Sequence, residues 1–121
     1  MIFFNFPKQI YIKYKKEIDK KIFDVLKSGN YINSYYLLKF ENSFAKYLKI
    51  KNCIGVGNAT DAIYLSLKAL NIKSGDEVIT VSHTATGTVL SIANTGAKPV
   101  FIDINSDTYN MDTNLIEKKI T

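Results

Sequence analysis

The chain has 121 residues, 46% hydrophobic and 22% charged, which suits one soluble globular domain with a core of its own. Its net charge of +5 rests on 16 basic residues that are all lysine, and the lack of arginine argues against a specific reader of nucleic acid, which leans on bidentate arginine contacts. One cysteine, Cys53, excludes an intrachain disulfide and reads as a small core residue.

The charge is uneven. Residues 1–52 hold 11 lysines against 4 acidic residues, while residues 53–121 hold 5 against 7. The lysines of the first part read as solvated helix faces. Met1–Phe6 is apolar but too short for a signal segment, and no stretch is long enough to span a membrane. A cytoplasmic protein is therefore expected.

In chain order, Met1–Pro7 reads as an extended arm. Ile18, Ile22, Val25 and Leu26 fall at i, i+4, i+7 and i+8 and predict an amphipathic helix over Tyr14–Lys27, stopped by Gly29. Asn30–Tyr36 is a polar, aromatic loop. A second amphipathic helix is predicted over Leu37–Leu48, with Phe40, Phe44, Tyr47 and Leu48 on one stripe suited to a core or a subunit interface.

Cys53–Gly57 reads as a buried strand ending in a glycine turn. A helix over residues 60–71 follows, with Ile63, Leu67 and Leu70 on one face. Asn58, Thr60 or Asp61 could cap it. Strand, tight turn and helix start together aim free N–H groups and the positive helix end at one place, where a phosphate fits. The plain alternative is a cap that serves only its own helix. Further strands are predicted at 77–82 and 99–104, with a helix over 86–95 between them and a short capped helix within 112–121. Alternating strands and helices predict a parallel sheet with right-handed crossovers, and ligands of such sheets collect beyond the carboxyl ends of the strands. Asn58–Asp61 and Ser82–Thr86 both fall there.

The run GVGNATDAIYLSLKALNIKSGDEVITVSHTATGTVLSIANTGAKPVFIDINSDTYNMD, with the upstream segments Phe40–Tyr47 and Ser28–Ile32, resembles the DegT/DnrJ/EryC1/StrS family of sugar aminotransferases. The resemblance covers nearly the whole chain. It implies an α/β fold: the N-terminal portion of the large domain of a fold-type-I transferase that depends on pyridoxal 5'-phosphate (PLP). Residues 1–52 would be an arm and two helices, and 53–121 the first, incomplete part of the cofactor-binding domain. The implied substrates are a nucleotide-linked keto sugar and an amino donor such as glutamate, and the implied full-length assembly is a homodimer, with no metal, nucleic acid or membrane partner.

By the same resemblance Ala59, Thr60 and Asp61 take the cofactor phosphate, Thr60 by hydroxyl and amide and Asp61 by its backbone N–H. The Asp61 carboxylate should then turn away from the phosphate. Asn58 lies beside them. Ala85 stands where many members stack an aromatic ring on the cofactor, so that stacking is missing or comes from elsewhere; His83 is the nearest candidate, the plain alternative being a loop histidine satisfied by neighbouring backbone. No glycine stands near Ser34-Tyr35, where the family has one. Neither the Schiff-base lysine nor the acid at the ring nitrogen has a matching motif, so no catalytic residue is assigned and these residues alone are expected to be inactive. Two other classes compete. One is a nucleotide- or S-adenosylmethionine-binding Rossmann module, which lacks its acidic residue at the second strand. The other is a non-catalytic interaction protein that keeps the dimerising half of the fold.

Overall fold

A computed structural model describes residues 6–121. The chain divides between Gly55 and Val56 into two compact units.

The first unit is helical. Helix α1 spans Pro7–Ser28, kinks at Tyr14 and ends at Gly29, whose φ of 66° is the left-handed turn that a glycine adopts without strain. The helix starts seven residues before the predicted Tyr14. Pro7, assigned from sequence to the arm, is instead its first residue, where the missing N–H loses nothing. The rest of that predicted arm, apart from Phe6, lies outside the described residues. On the exposed face of α1 Asp19 accepts from Lys15 and from the Tyr11 hydroxyl. These bonds hold the Asp19 carboxyl below, and the Lys15 amine above, their ordinary values.

Helix α2 spans Tyr35–Leu48 and is closed by Lys49 in the left-handed region. Phe40 stacks on Phe44 at 5.5 Å and Phe44 meets Tyr47 at 6.4 Å. This stripe is exposed in the chain, as are Leu38 and Leu48, and only Ala45 of the helix is buried. Of the two expected roles, core or subunit interface, the stripe does not fill the core of this unit.

Residues 53–57 form no strand. A strand exists through its ladder, and here the Gly55 N–H donates to the Glu41 carboxylate at 2.7 Å instead of to a neighbouring strand. A Cβ at Gly55 would stand 2.7 Å from Leu37 Cδ1, so the backbone passes α2 too closely for a side chain. Cys53 is half-buried in this extended segment.

The second unit contains the α/β block. Helix α3 (Ala59–Ala69) leads to strand β1 (Glu77–Val81), then helix α4 (Thr86–Asn94) and strand β2 (Lys98–Ile102). β1 and β2 pair in parallel, with Glu77 opposite Lys98 and Val81 opposite Ile102. Of the predicted parallel β-α-β-α-β block, the second β-α-β half is observed and the first strand is not. Its core is small: Ile92, Ala97 and Ile102 are buried together with Thr80, Ser91 and Thr95. Beyond β2, Asn105 accepts from the N–H groups of Asp107 and Thr108 and folds a tight turn that brings Met111 back to Ile104. The predicted helix within 112–121 is instead two 3-10 turns, Thr113–Leu115 and Glu117–Lys119, the first capped by Asp112.

At the amino ends of the two strands Lys98 donates to Glu77 at 2.7 Å, and the Thr121 hydroxyl donates to the same carboxylate at 3.1 Å. First Lys98 and then Thr121 hold the Glu77 carboxyl below its ordinary range. A lowered carboxyl stabilises the folded state above its unfolded pKa, and that stability is lost as pH falls through the folded value. The urea midpoint should therefore drop as pH falls below about 4.3, the ordinary glutamate value. Glu77→Gln should flatten part of that drop while changing the midpoint little at neutral pH, as befits an exposed pair.

Candidate functional site

The first turn of α3 is built by Asn58. Its backbone is extended, its Oδ1 accepts the Asp61 N–H at 2.9 Å, and its Nδ2 donates to Asp61 Oδ2 at 2.8 Å. Of the three candidate caps, Asn58 is the one used. The Asp61 carboxylate turns back onto Asn58 and lies against Gly57 at the helix start. The Asp61 N–H, however, is already given to Asn58, which corrects its expected place as a free phosphate donor.

Three donors are left at this helix start. The N–H groups of Ala59 and Thr60 and the Thr60 hydroxyl have no protein partner among the described residues. The positive end of α3 adds to them. Small side chains at Gly57 and Ala59 leave the backbone approachable.

The second expected segment follows β1. Ala85 precedes α4 in an extended conformation, its carbonyl accepts the Thr88 N–H at 2.9 Å, and Thr84 and Thr88 pair their hydroxyls at 3.0 Å. The two segments meet through residues that the sequence reading passed over. A Cβ at Gly87 would lie 2.4 Å from Thr60 Oγ1, so Thr60 packs directly on the α4 backbone. One turn on, the Ser91 hydroxyl reaches the Thr60 carbonyl at 2.8 Å and the Gly87 carbonyl at 2.6 Å. The available signal was Gly87 and Ser91 at i and i+4, two small residues on one helix face, which permit a close crossing.

His83 is exposed and lies 6.2 Å, ring to ring, from Tyr109 at a tilt of 41°. Tyr109 sits in the left-handed region, at φ 57°, inside the Asn105 turn. No cluster of three or more metal-ligating side chains occurs among the described residues. The site is thus a set of neutral anion donors between two helix starts, with one imidazole on the loop that leads into the second.

A parallel β-α-β unit with a helix leading into its first strand defines an α/β domain. The sequence profile of the DegT/DnrJ/EryC1/StrS aminotransferase family matches residues 13–121, and the chain belongs to that family. It is 44% identical, over all its 121 residues, to a dTDP-3-amino-3,6-dideoxy-alpha-D-galactopyranose transaminase of Aneurinibacillus thermoaerophilus, of which it covers 33%. Among solved structures, DesV of S. venezuelae superposes with a TM-score of 0.91 at 39% identity, over 94% of this chain and 31% of that one. A sugar aminotransferase of Streptococcus pneumoniae, solved in a PLP form, gives 0.80 at 33% identity over 84% and 26%. The chain spans about a third of the length of these relatives.

The cap makes a direct prediction. Asn58→Ala removes two side-chain hydrogen bonds and should cost about 1 kcal/mol, the usual loss for a helix N-cap. Urea unfolding followed by circular dichroism measures it, and Asn58→Asp should recover most of the loss.

Proposed function

We propose that residues 1–121 supply the first part of the cofactor-binding domain of a PLP-dependent aminotransferase that aminates a nucleotide-linked keto sugar. Residues 1–52 serve as arm and helical layer, and 53–121 as the start of the α/β domain. The observation that carries this reading is the first turn of α3, where two N–H groups and one hydroxyl have no protein partner among the described residues. That donor set fits a phosphate dianion: amides and a hydroxyl, the positive end of a helix, and the nearby Asp61 carboxylate turned back onto Asn58.

In this role Ala59 and Thr60 hold the phosphate by their N–H groups and Thr60 adds its hydroxyl. Asp61 contributes by completing the Asn58 cap. Ala85 leaves room at the cofactor ring, and His83, held beside Tyr109, is the group of this segment that packs there. When bound, PLP supplies the electron sink on which transamination depends. No residue of these 121 is assigned to attach the cofactor or to pair with its ring nitrogen. Glutamate is the proposed amino donor. The exposed Phe40–Phe44–Tyr47 stripe on α2 supports a homodimer of the whole enzyme. No helix among the described residues is long and apolar enough to cross a membrane, which agrees with work in the cytoplasm on soluble nucleotide sugars.

Thr60→Val tests the reading in the protein that carries the attachment lysine. The hydroxyl caps nothing but packs on the α4 backbone at Gly87, so a stability loss of about 1 kcal/mol is expected from the tighter fit of a methyl group. A lost hydrogen bond to a charged phosphate is worth roughly 1.5–3 kcal/mol, so the PLP dissociation constant should rise by about tenfold to a hundredfold. Absorbance titration with PLP and a thermal melt separate the two quantities. A lower melting temperature with unchanged affinity removes Thr60 from the site.

A further inference from the structure

Ser91 is fully buried, with 0% of its surface exposed, yet it is a polar residue on a helix otherwise anchored by Ile92. Its one hydroxyl proton is shared between two carbonyls. The bond to Gly87 at 2.6 Å lies within α4 and is the ordinary back-bond of a helical serine. The bond to Thr60 at 2.8 Å crosses to α3. It ends on the peptide that joins Thr60 to Asp61, whose N–H is fixed on its other side by Asn58 at 2.9 Å. A peptide is planar, so holding its carbonyl and its N–H fixes the whole unit. The turn that presents the free Ala59 and Thr60 N–H groups is therefore held at both edges, by Asn58 from within α3 and by Ser91 from α4. Gly87 makes this possible, because any side chain there would meet Thr60 Oγ1.

We infer that Ser91 is a positioning residue for phosphate binding: its buried hydroxyl fixes the Thr60–Asp61 peptide against α4 and so sets the direction of the donors that hold the PLP phosphate. The inference rests on the proposed function. A donor set fixed before binding loses no ordering free energy when the anion arrives, so the effect of Ser91 falls on the phosphate and not on the rest of the cofactor. A serine that merely satisfied its own helix would affect stability alone.

The test compares PLP with pyridoxal, which lacks the phosphate, in the protein that carries the attachment lysine. Two variants are used: Ser91→Ala, and Ser91→Cys, which keeps nearly the same size with a weak donor and serves if the alanine variant folds poorly. Ser91→Ala should weaken PLP binding about tenfold, equivalent to ~1.4 kcal/mol, with pyridoxal affinity altered less than about twofold. Ser91→Cys should fall between alanine and the parent. If both ligands weaken equally, or if only the melting temperature falls, Ser91 is structural and the inference is overturned. If the unmutated protein shows no preference for PLP over pyridoxal, the phosphate reading itself fails and takes the inference with it. That result is read before any variant is made.

Discussion

Pairing β1 with β2 in parallel obliges the chain to return from the carboxyl end of one strand to the amino end of the next, and α4 is that return. The crossover packs against α3, and its Ser91 and Ile92 are the most deeply buried side chains among the described residues. A helix only nine residues long is marginal in isolation. Its stability comes from this burial and from the Ser91 bond to α3. The same packing sets the distance between the two helix starts. One constraint therefore fixes both the fold of the second unit and the arrangement of its two helix starts.

Polar chemistry at the crossing follows from how close the helices come. Gly87 lets the α4 backbone touch Thr60, and at that range an apolar side chain at position 91 would leave the Thr60 carbonyl without the additional partner it has. A serine fills little volume and supplies that partner. The buried threonines follow the same logic, for the Thr95 hydroxyl donates to the Ile92 carbonyl at 2.7 Å and accepts the Ala97 N–H at 3.2 Å. No buried side-chain polar atom lacks a partner among the described residues.

Much of this was legible in the sequence. The apolar runs at 77–82 and 99–104 and the helical spacing around Ile63 and Leu67 placed β1, β2 and α3 within two or three residues, because each pattern reports burial against a neighbour that the unit itself provides. Residues 53–57 read equally well as a strand, but a strand also needs a ladder, and the Gly55 N–H bonds to Glu41 instead. The aromatic stripe of α2 has helical spacing whatever it packs on, so periodicity found the helix without showing that the stripe stays exposed in this chain. The glycine turn and the helix start at Asn58–Asp61 were legible as a turn and a cap. Their detailed division was not, since which of Asn58, Thr60 and Asp61 caps depends on backbone angles that residue types alone do not set.

Ser91 was hidden for a different reason. Serine inside a helical run reads as a tolerated surface residue, and only a partner helix can show that it faces inward. Helix–helix distance is a property of two segments, while periodicity is a property of one. The same holds for His83, whose ring partner Tyr109 lies across the Asn105 turn. A site made from several elements is thus legible in sequence as a set of candidate groups, and becomes a geometry only when packing brings their segments together. For this chain that packing is α4 against α3, so the arrangement of the two helix starts is only as well formed as their crossing.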